Sequence, residues 1–246
     1  MALVLVTGAS TGLGLATAAD LVDRGHHVVL HARNLARLDG LAVSERAHGV
    51  VPGDLAHPKE TLHVAEQAND FGRFDAVIHN AGTMDRADAV AVNVLAPYLL
   101  TASMPLPGRA IFLSSSMHLS GRPDVDPVLA GHGGTYSDSK LLVTALALAL
   151  AAQRPGTLTH AVDPGWVPTR MGGPSATDDL AEGHRTQAWL ATAPETEIEP
   201  RTGGYWHHRA ASRPHPAALD AGFQQQLLDA LATITGLALP EADPSA

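Results

Sequence analysis

The sequence contains no cysteine, so neither a disulfide framework nor a thiolate metal site can stabilise the fold. It also lacks an excess of positive charge, because 25 acidic residues stand against 16 lysines and arginines and give a formal net charge of −9. A nucleic-acid surface needs clustered lysine and arginine, so this balance argues against nucleic acid as a partner. The absence of cysteine fits the cytoplasm, where we expect the protein to act.

Long apolar runs and a secretion signal are missing as well. The longest apolar stretch, LLVTALALALAA at 141–152, is shorter than the roughly 20 residues that span a bilayer. The opening MALVLVTG has no charged region, long apolar core or cleavage site, so we expect no signal peptide and no membrane partner. A chain of 246 residues, 45% of them hydrophobic, suits one globular domain with a sizeable core.

Short apolar runs alternate with helical patterns along most of the chain. The runs are near-continuously apolar, like strands buried on both faces, and predict strands at 2–6, 27–31, 49–51, 75–79, 110–114 and 158–162. Helices are predicted between them at about 12–24, 35–47, 58–69, 86–104 and 136–153. The alternation predicts one α/β domain over 1–246, with a doubly wound parallel sheet. We expect 163–213 to be irregular and 239–246 to be a loose tail.

Three glycines, Gly8, Gly12 and Gly14, lie between the first predicted strand and the first predicted helix. Backbone this bare lets a pyrophosphate approach the amide groups of a helix N-terminus, where the helix dipole favours an anion. A plain turn from strand to helix is the alternative. The spacing TGxxxGxG differs from the usual GxGxxG, so the loop alone does not decide between the two.

A second motif, YSDSK, places Tyr136 and Lys140 four residues apart on one face of a helix. A neighbouring cation lowers the pKa of a phenol, which suits a tyrosine that exchanges protons near neutral pH; an ordinary surface pair is the alternative. Ser115 and Asn80 follow strands at the carboxyl edge of the predicted sheet, where parallel sheets bind ligands. Asn93 stands on an apolar helix and therefore needs a polar partner.

Together these motifs resemble the classical short-chain dehydrogenase/reductase family. The matching residues are, in chain order, TGASTGLG at 7–14, GDL at 53–55, NAG at 80–82, Asn93, SS at 114–115, YSDSK at 136–140 and DPGWVPT at 163–169. The resemblance implies a Rossmann-type sheet, a substrate-binding segment at 163–213, and an oxidoreductase that interconverts a carbonyl and an alcohol. SSSMH and DPGWVPT are similar to the retinol-dehydrogenase-like and antibiotic-ketoreductase-like branches, which implies an apolar or cyclic substrate.

The resemblance also implies a role for each matched residue. Tyr136 would pass a proton to or from the substrate oxygen, and Ser115 would hydrogen-bond that oxygen, with Ser114 and Ser116 as alternatives. Lys140 would bind the nicotinamide ribose and lower the pKa of Tyr136, while Asn93 would hold a water of the proton relay. Cofactor contacts are implied for Gly8, Ser10, Gly12, Leu13 and Gly14 (pyrophosphate), Asp54 and Leu55 (adenine), Asn80, Ala81 and Gly82 (adenosine ribose), and Pro164, Gly165, Val167 and Thr169 (nicotinamide).

The end of the second predicted strand, VVLHARN, indicates which nicotinamide cofactor is bound. Ala32 stands where an acidic residue would bind the ribose 2′-hydroxyl of NAD, and Arg33 follows it. A guanidinium suits a 2′-phosphate in charge and shape, so we expect NADP(H) to be preferred. NAD(H) remains possible, because the glycine loop adds Ser10 and Thr11 but no second basic residue. A surface arginine that caps the next helix is the alternative reading of Arg33.

Two lengths depart from the family pattern. Ten residues separate Gly82 from Asn93, so the helix that carries Asn93 should begin at about Asp85 and leave the cleft open along 83–86. The polar insert at 116–135 could fold across that opening. We expect its His118 to lie in a loop, with substrate contact as the alternative. The 14 histidines show no metal-binding spacing, so no metal is expected.

The stretch 141–152 is apolar nearly all round, so we expect a homodimer or homotetramer to bury it. Two other functions are compatible with the motifs: a nucleotide-binding regulator that keeps the fold without catalysis, and a sugar-nucleotide epimerase or dehydratase. The presence of Asn93, Ser115, Tyr136 and Lys140 favours an enzyme over the regulator. The length leaves no room for the larger C-terminal domain of the epimerases.

Overall fold

An eight-stranded sheet runs through the computed structural model, which describes residues 1–130 and 134–241. The strand order is β3-β2-β1-β4-β5-β6-β7-β8, all parallel except β8, which pairs antiparallel with β7. The strands are β1 (Leu3–Val6), β2 (His27–Ala32), β3 (Gly49–Pro52), β4 (Ala76–His79), β5 (Arg109–Leu113), β6 (Leu158–Asp163), β7 (Gly204–His207) and β8 (Ala210–Ser212). All six predicted strands are present, which confirms the doubly wound parallel sheet.

Helices cover both faces of this sheet. One face carries α1 (Gly12–Asp23) and α7 (Leu180–Thr192); the other carries α3 (Pro58–Asn69), α4 (Ala96–Ser103), α6 (Tyr136–Gln153) and α8 (Ala221–Thr235). Two short helices, α2 (Ala42–Arg46) and α5 (Val125–Leu129), complete the set in the described ranges. Along β1, Val4 and Val6 pack toward α1, whereas Leu5 between them packs toward α3. No helix within 1–130 or 134–241 has the length and apolarity needed to cross a membrane.

Several predicted boundaries are wrong. The single helix predicted at 35–47 is a 3-10 turn (Leu35–Arg37) followed by α2, because Gly40 between them adopts a φ of +71° that a helix cannot continue. The segment 163–213 is not irregular, since it contains α7, β7 and β8. The glycines and prolines of this segment led to the prediction of irregular structure, because both residues are unfavourable in the middle of a helix. Helix α8 was also missed.

The predicted loose tail begins too early. Leu239 is buried, and the Arg154 guanidinium donates to the carbonyl oxygens of Leu239 and Pro240. The start of the predicted tail is therefore tied to the end of α6. Residues 242–246 lie outside the described part of the chain.

Helix α6 is covered by its own chain. Every residue from Asp138 to Ala151 is buried, and the helix packs against β5, β6, α8 and the 3-10 turn Ser116–Ser120. The sheet face alone does not cover this helix, but other elements of the same chain cover the rest of it, so its apolar composition does not by itself require a dimer. The 116–135 insert contributes to the cover, because Val125, Val128 and Leu129 of α5 join the same apolar cluster. His132 of this insert lies outside the described residues.

Two of the histidines fill the core beside the sheet. His79 stacks on Phe112 with ring centroids 4.5 Å apart, and burial lowers its pKa to about 3. The Nδ1 atom of His160 accepts the indole N–H of Trp206 at 3.0 Å, and burial lowers the pKa of His160 to about 4. Both rings are thus held neutral. Among the described residues, no three acidic or histidine side chains come together where they could hold a metal ion.

Candidate active site

Asn93 sits on a widened helical turn that precedes α4. The chain becomes helical at Ala89, four residues later than predicted, because a turn closed by the Asp88 N–H on the Asp85 carbonyl comes first. Residues Ala91–Leu95 then form a π turn, in which the Ala96 N–H bonds to the carbonyl of Ala91, five residues back. Pro97 has no N–H to offer the Asn93 carbonyl four residues earlier, which disfavours regular α-helix here.

The side chain of Asn93 is buried and makes three hydrogen bonds. Its Oδ1 accepts the Thr83 N–H at 2.8 Å, and its Nδ2 donates to the Thr83 carbonyl and to the Ser139 hydroxyl, each at 2.9 Å. These are the polar partners that its apolar setting requires. The asparagine thereby fixes the segment after β4 against the first turn of α6.

The three serines after β5 occupy different environments. Ser114 is buried, and its hydroxyl shares a hydrogen bond of 2.6 Å with that of Thr144. Ser115 caps the following 3-10 turn by accepting the Met117 N–H at 3.2 Å, and its hydroxyl acts to lower the pKa of Tyr136. Ser116 is exposed. The geometry therefore favours Ser115 as the serine that acts with Tyr136.

Tyr136 is the first residue of α6. Thr135 and Asp138 form a capping box around it, and Arg122 pairs with the buried Asp138 at 2.9 Å, so the start of the helix is firmly held. Burial raises the pKa of Tyr136 to about 12, against the lowering effect of Ser115 and with the support of the Asp163 charge. The net shift of this pKa is upward, opposite to the one expected from a neighbouring lysine, and burial is its largest cause.

Lys140 lies one turn further along α6 and is buried. Its Nζ donates to the Leu113 carbonyl at 2.7 Å and lies 5.5 Å from the centroid of the Tyr136 ring. Burial lowers the pKa of Lys140 to about 8, although the Asp163 carboxylate favours its charged form. A Cβ placed on Gly82 would lie 3.5 Å from this amine and 3.3 Å from Asn93 Oδ1, so Gly82 borders both side chains.

The glycine loop between β1 and α1 has the bare backbone that a dinucleotide requires. Gly8 and Gly12 have φ values of +66° and +56°, and a Cβ on Gly14 would collide with the Gly8 carbonyl and the Asn80 amide. Asn80 fixes the start of the loop, because its Nδ2 donates to the Thr7 carbonyl at 2.8 Å. The side chain of Thr11 makes no capping bond to α1. The amide groups of the first turn of α1 are therefore left for a phosphate, so these residues fit a dinucleotide.

His31 fixes the same loop from β2, a role that the sequence reasoning missed. Its Nδ1 accepts the Gly8 N–H at 3.0 Å, so its Nε2 carries the proton and donates to the Gly53 carbonyl at 2.9 Å. Burial lowers the pKa of His31 to about 4, against the opposing effects of Gly53 and Asp54. A histidine in an otherwise apolar strand, two residues before Arg33, is the signal that could have revealed it.

The adenosine side of this edge contains one ion pair. Arg33 is exposed, and its Nε lies 3.3 Å from Asp54 Oδ2, while Ala32 before it is buried. The neighbouring Leu55 is buried as well. The ends of β2 and β3 therefore present a guanidinium, and Ala32 supplies no carboxylate at the end of β2.

The segment after β6 approaches the glycine loop from the opposite side. Gly165 has a φ of +82°, Val167 is buried, and a Cβ on Gly12 would lie 3.0 Å from the Thr169 methyl. The residues matched at 164–169 thus lie beside the loop that the sequence assigns to the pyrophosphate. Asp163, which precedes them, was not recognised as part of the site, yet its charge acts on both Tyr136 and Lys140.

His118 does not lie in an exposed loop and cannot touch a substrate, because it is completely buried. Its Nε2 accepts the His215 N–H at 3.0 Å, so its Nδ1 carries the proton and donates to the Ser115 carbonyl at 2.7 Å. The alternative expectation of substrate contact is therefore wrong, and the residue lies in the 3-10 turn Ser116–Ser120 of the connection that follows β5. The ring instead steadies the turn that carries Ser115.

Comparison with known proteins identifies the family. The family model described as short chain dehydrogenase matches residues 2–180. The chain belongs to the short-chain dehydrogenase family. It is therefore an oxidoreductase with the fold of that family, and the family resemblance of the sequence motifs is confirmed.

Two related short-chain dehydrogenases match nearly their whole length. The short-chain dehydrogenase chyC of Penicillium rubens is 36% identical over 98% of this chain and 100% of its own. DnrU of Streptomyces sp. (strain C5), proposed to be a daunorubicin C-13 ketoreductase, is 31% identical over 95% of this chain and 92% of its own. Among solved structures, the NADPH-bound carbonyl reductase from chicken fatty liver has a TM-score of 0.65 and 21% identity, covering 86% of this chain and 98% of that one. The structural likeness supports the fold.

Proposed function

We propose that the protein is an NADP(H)-dependent reductase of ketones or aldehydes that also catalyses the reverse oxidation of the alcohol. The observation that carries this proposal is the meeting of Ser115, Tyr136 and Lys140 at the carboxyl edge of the sheet, opposite a glycine loop suited to a dinucleotide. Ser115 follows β5, and Tyr136 and Lys140 lie on α6, whereas the glycine loop joins β1 to α1.

The bound nicotinamide dinucleotide supplies the hydride in this reaction. The hydroxyl groups of Ser115 and Tyr136 hydrogen-bond the substrate oxygen, where negative charge develops. Tyr136 then gives its proton to that oxygen. A phenol with a pKa of about 12 keeps its proton at neutral pH, which is the state that carbonyl reduction needs. The Lys140 ammonium binds the ribose hydroxyls and stabilises the tyrosinate left behind, and Asn93 holds a water through which Tyr136 is reprotonated.

The preference for NADP(H) rests on Arg33 beside Asp54 and on Ala32 in place of an acid. The guanidinium binds the 2′-phosphate, whereas a carboxylate at Ala32 would have repelled it. The carbonyl reductase from chicken fatty liver, which shares the fold, was solved with NADPH bound, in keeping with this choice. NAD(H) is the weaker alternative cofactor.

An apolar or cyclic substrate is favoured by the side chains around the site. Five exposed large hydrophobic residues lie in the segments that follow β4, β5 and β6, namely Met84, Met117, Leu119, Trp166 and Met171. The Sδ atom of Met171 lies 4.0 Å from the Tyr136 hydroxyl, so this apolar surface reaches the reacting group. Methionine side chains adapt to irregular apolar shapes. The daunorubicin assignment of DnrU agrees with a bulky ketone.

The decisive experiment follows NADPH oxidation by the wild type and by Tyr136→Phe over a panel of ketones and aldehydes. The substitution removes the transferable proton and little else, so kcat should fall by at least a hundredfold while NADPH affinity stays within about twofold. Substantial turnover by the Phe variant would show that Tyr136 is not the acid. A wild type that binds NADPH but turns over no carbonyl would favour the regulatory alternative.

A further inference from the structure

Arg170 reaches the glycine loop from the far end of the active site. Its Nη2 donates to the Thr11 hydroxyl at 3.2 Å across 159 residues of sequence. The preceding residue, Thr169, contacts Gly12, the first residue of α1. Two consecutive residues of the segment after β6 therefore cover the N-terminus of α1. The glycine loop itself contains no basic residue, and Arg170 comes to it from a distant part of the chain.

The surroundings of Arg170 leave a concentration of positive charge without a counterion. Its side chain is exposed and forms none of the ion pairs found among the described residues. The first turn of α1 contains no acidic residue, and the hydroxyl of Thr11 makes no capping bond to it. The positive end of the helix dipole and a guanidinium thus lie side by side. Such a pair attracts an anion with several oxygens, which a planar guanidinium can bind bidentately.

We propose that Arg170 is a further cofactor-binding residue that binds the pyrophosphate of the dinucleotide. This inference rests on the proposed function. The position beside Thr11 and Gly12 selects the pyrophosphate, because that group is the one bound at the N-terminus of α1. The 2′-phosphate belongs with Arg33 at the end of β2. Arg170 also links cofactor binding to the segment that carries Val167 and Thr169, since binding of the pyrophosphate by Arg170 holds this segment over the loop.

The test compares three ligands that share different parts of the cofactor. Dissociation constants for NADPH, NADH and adenosine 2′-monophosphate are measured by fluorescence titration or competition for Arg170→Gln, Arg170→Lys and Arg33→Ala. Arg170→Gln should weaken NADPH and NADH alike, by about tenfold, and leave adenosine 2′-monophosphate unchanged because that ligand has no pyrophosphate. Arg170→Lys should recover part of the loss. Arg33→Ala should weaken NADPH and adenosine 2′-monophosphate but spare NADH.

The control is Arg201→Gln, which removes one exposed positive charge just before β7, at the amino ends of the parallel strands. This variant should change none of the three dissociation constants. An Arg170→Gln variant that binds NADPH and NADH like the wild type would overturn the proposal. A loss confined to NADPH and adenosine 2′-monophosphate would also overturn it, since Arg170 would then read the 2′-phosphate. If the wild type binds neither dinucleotide, the proposed function itself fails, which is a distinguishable result.

Discussion

Lys140 is buried, and burial lowers its pKa to about 8. The ammonium is therefore charged below about pH 8 and loses its charge above it. We expect kcat/KM for NADPH to fall as pH rises through about 8, because the contact with the ribose hydroxyls weakens. The measurement is a pH profile of initial rates at limiting NADPH.

Lys140→Arg provides the matched control for that profile. A guanidinium keeps its charge far above this pH, so the variant should show a flat profile up to about pH 10, at a lower absolute rate. A wild-type profile that stays flat to the same pH would contradict the assignment of the alkaline limb to Lys140.

Arg33 is the residue on which we expect the choice between NADPH and NADH to depend. Its contact with Asp54 is an exposed pair, which contributes little to stability and leaves the guanidinium available to a phosphate. We expect Arg33→Ala to raise the dissociation constant for NADPH about ten- to a hundredfold, the equivalent of roughly 1.5–3 kcal/mol. The constant for NADH should stay within about twofold. Fluorescence titration of both reduced cofactors measures this, with the exposed Arg37→Ala as control; equal losses for both cofactors would refute the role of Arg33.

The role of a residue could be predicted from the sequence when it follows from the helix or strand that carries the residue. It could not be predicted when it depends on partners that are distant along the chain. Tyr136 and Lys140 could be paired because they lie one helical turn apart, and Ser115 because it ends a strand. His31, His118 and Arg170 could not be assigned, because each has a partner in a segment that is distant along the chain. The pKa of Tyr136 was misjudged for a related reason: the sequence shows its lysine neighbour but does not show that the folded chain partly buries the phenol.

The π turn before α4 is the element on which the position of Asn93 depends. Pro97→Ala restores an N–H that can donate to the Asn93 carbonyl, so the turn should tighten toward regular α-helix and rotate Asn93 away from Thr83. We expect kcat to fall about tenfold while the melting temperature stays the same or rises, since alanine favours helix. The control is Pro105→Ala, an exposed proline beyond the end of α4. A variant that loses stability but keeps its kcat would show that the turn does not position Asn93.

Elements with one strong pattern were predicted from the sequence, whereas elements defined by their partners were not. The continuous apolar run of β1, Leu3–Val6, is typical of a buried strand. Helix α7 carries a glycine at 183, which allows the close approach of Val167 but is costly in an isolated helix. Helices α5 and α8 likewise pack over α6, and no local sequence pattern predicts which segments will pack together.

We expect three separate segments to form the apolar mouth of the active site, so that substrate size depends on the whole molecule. Met84, Met117 and Met171 each follow a different strand of the sheet. For ketones of increasing chain length, we expect kcat/KM to rise roughly fourfold per CH₂ group until the mouth is filled, in line with about 0.8 kcal/mol per buried CH₂. Met171→Ala should flatten this dependence. A wild-type profile that is flat or falls with size would contradict an open apolar mouth.

Three histidines of the core are neutral in the folded protein, so their protonation at low pH favours the unfolded chain. His31, His79 and His160 have pKa values of about 4, 3 and 4 in the folded protein, compared with 6.5 when exposed. Their contribution to stability is complete above pH 6.5 and is lost as the pH falls toward 4, because only the unfolded chain binds these three protons. The free energy of unfolding should then decrease by roughly 4 kcal/mol per pH unit near pH 5.

A slope this steep exhausts the stability of an ordinary domain, roughly 5–15 kcal/mol, within a few pH units. Urea unfolding at pH 7, 6 and 5 should show the midpoint falling sharply over the last interval, and a midpoint independent of pH would exclude this mechanism. In a compartment that acidifies, the protein would therefore lose its fold while Lys140 is still fully charged. Acid would act on it as a denaturant before it could act as an inhibitor.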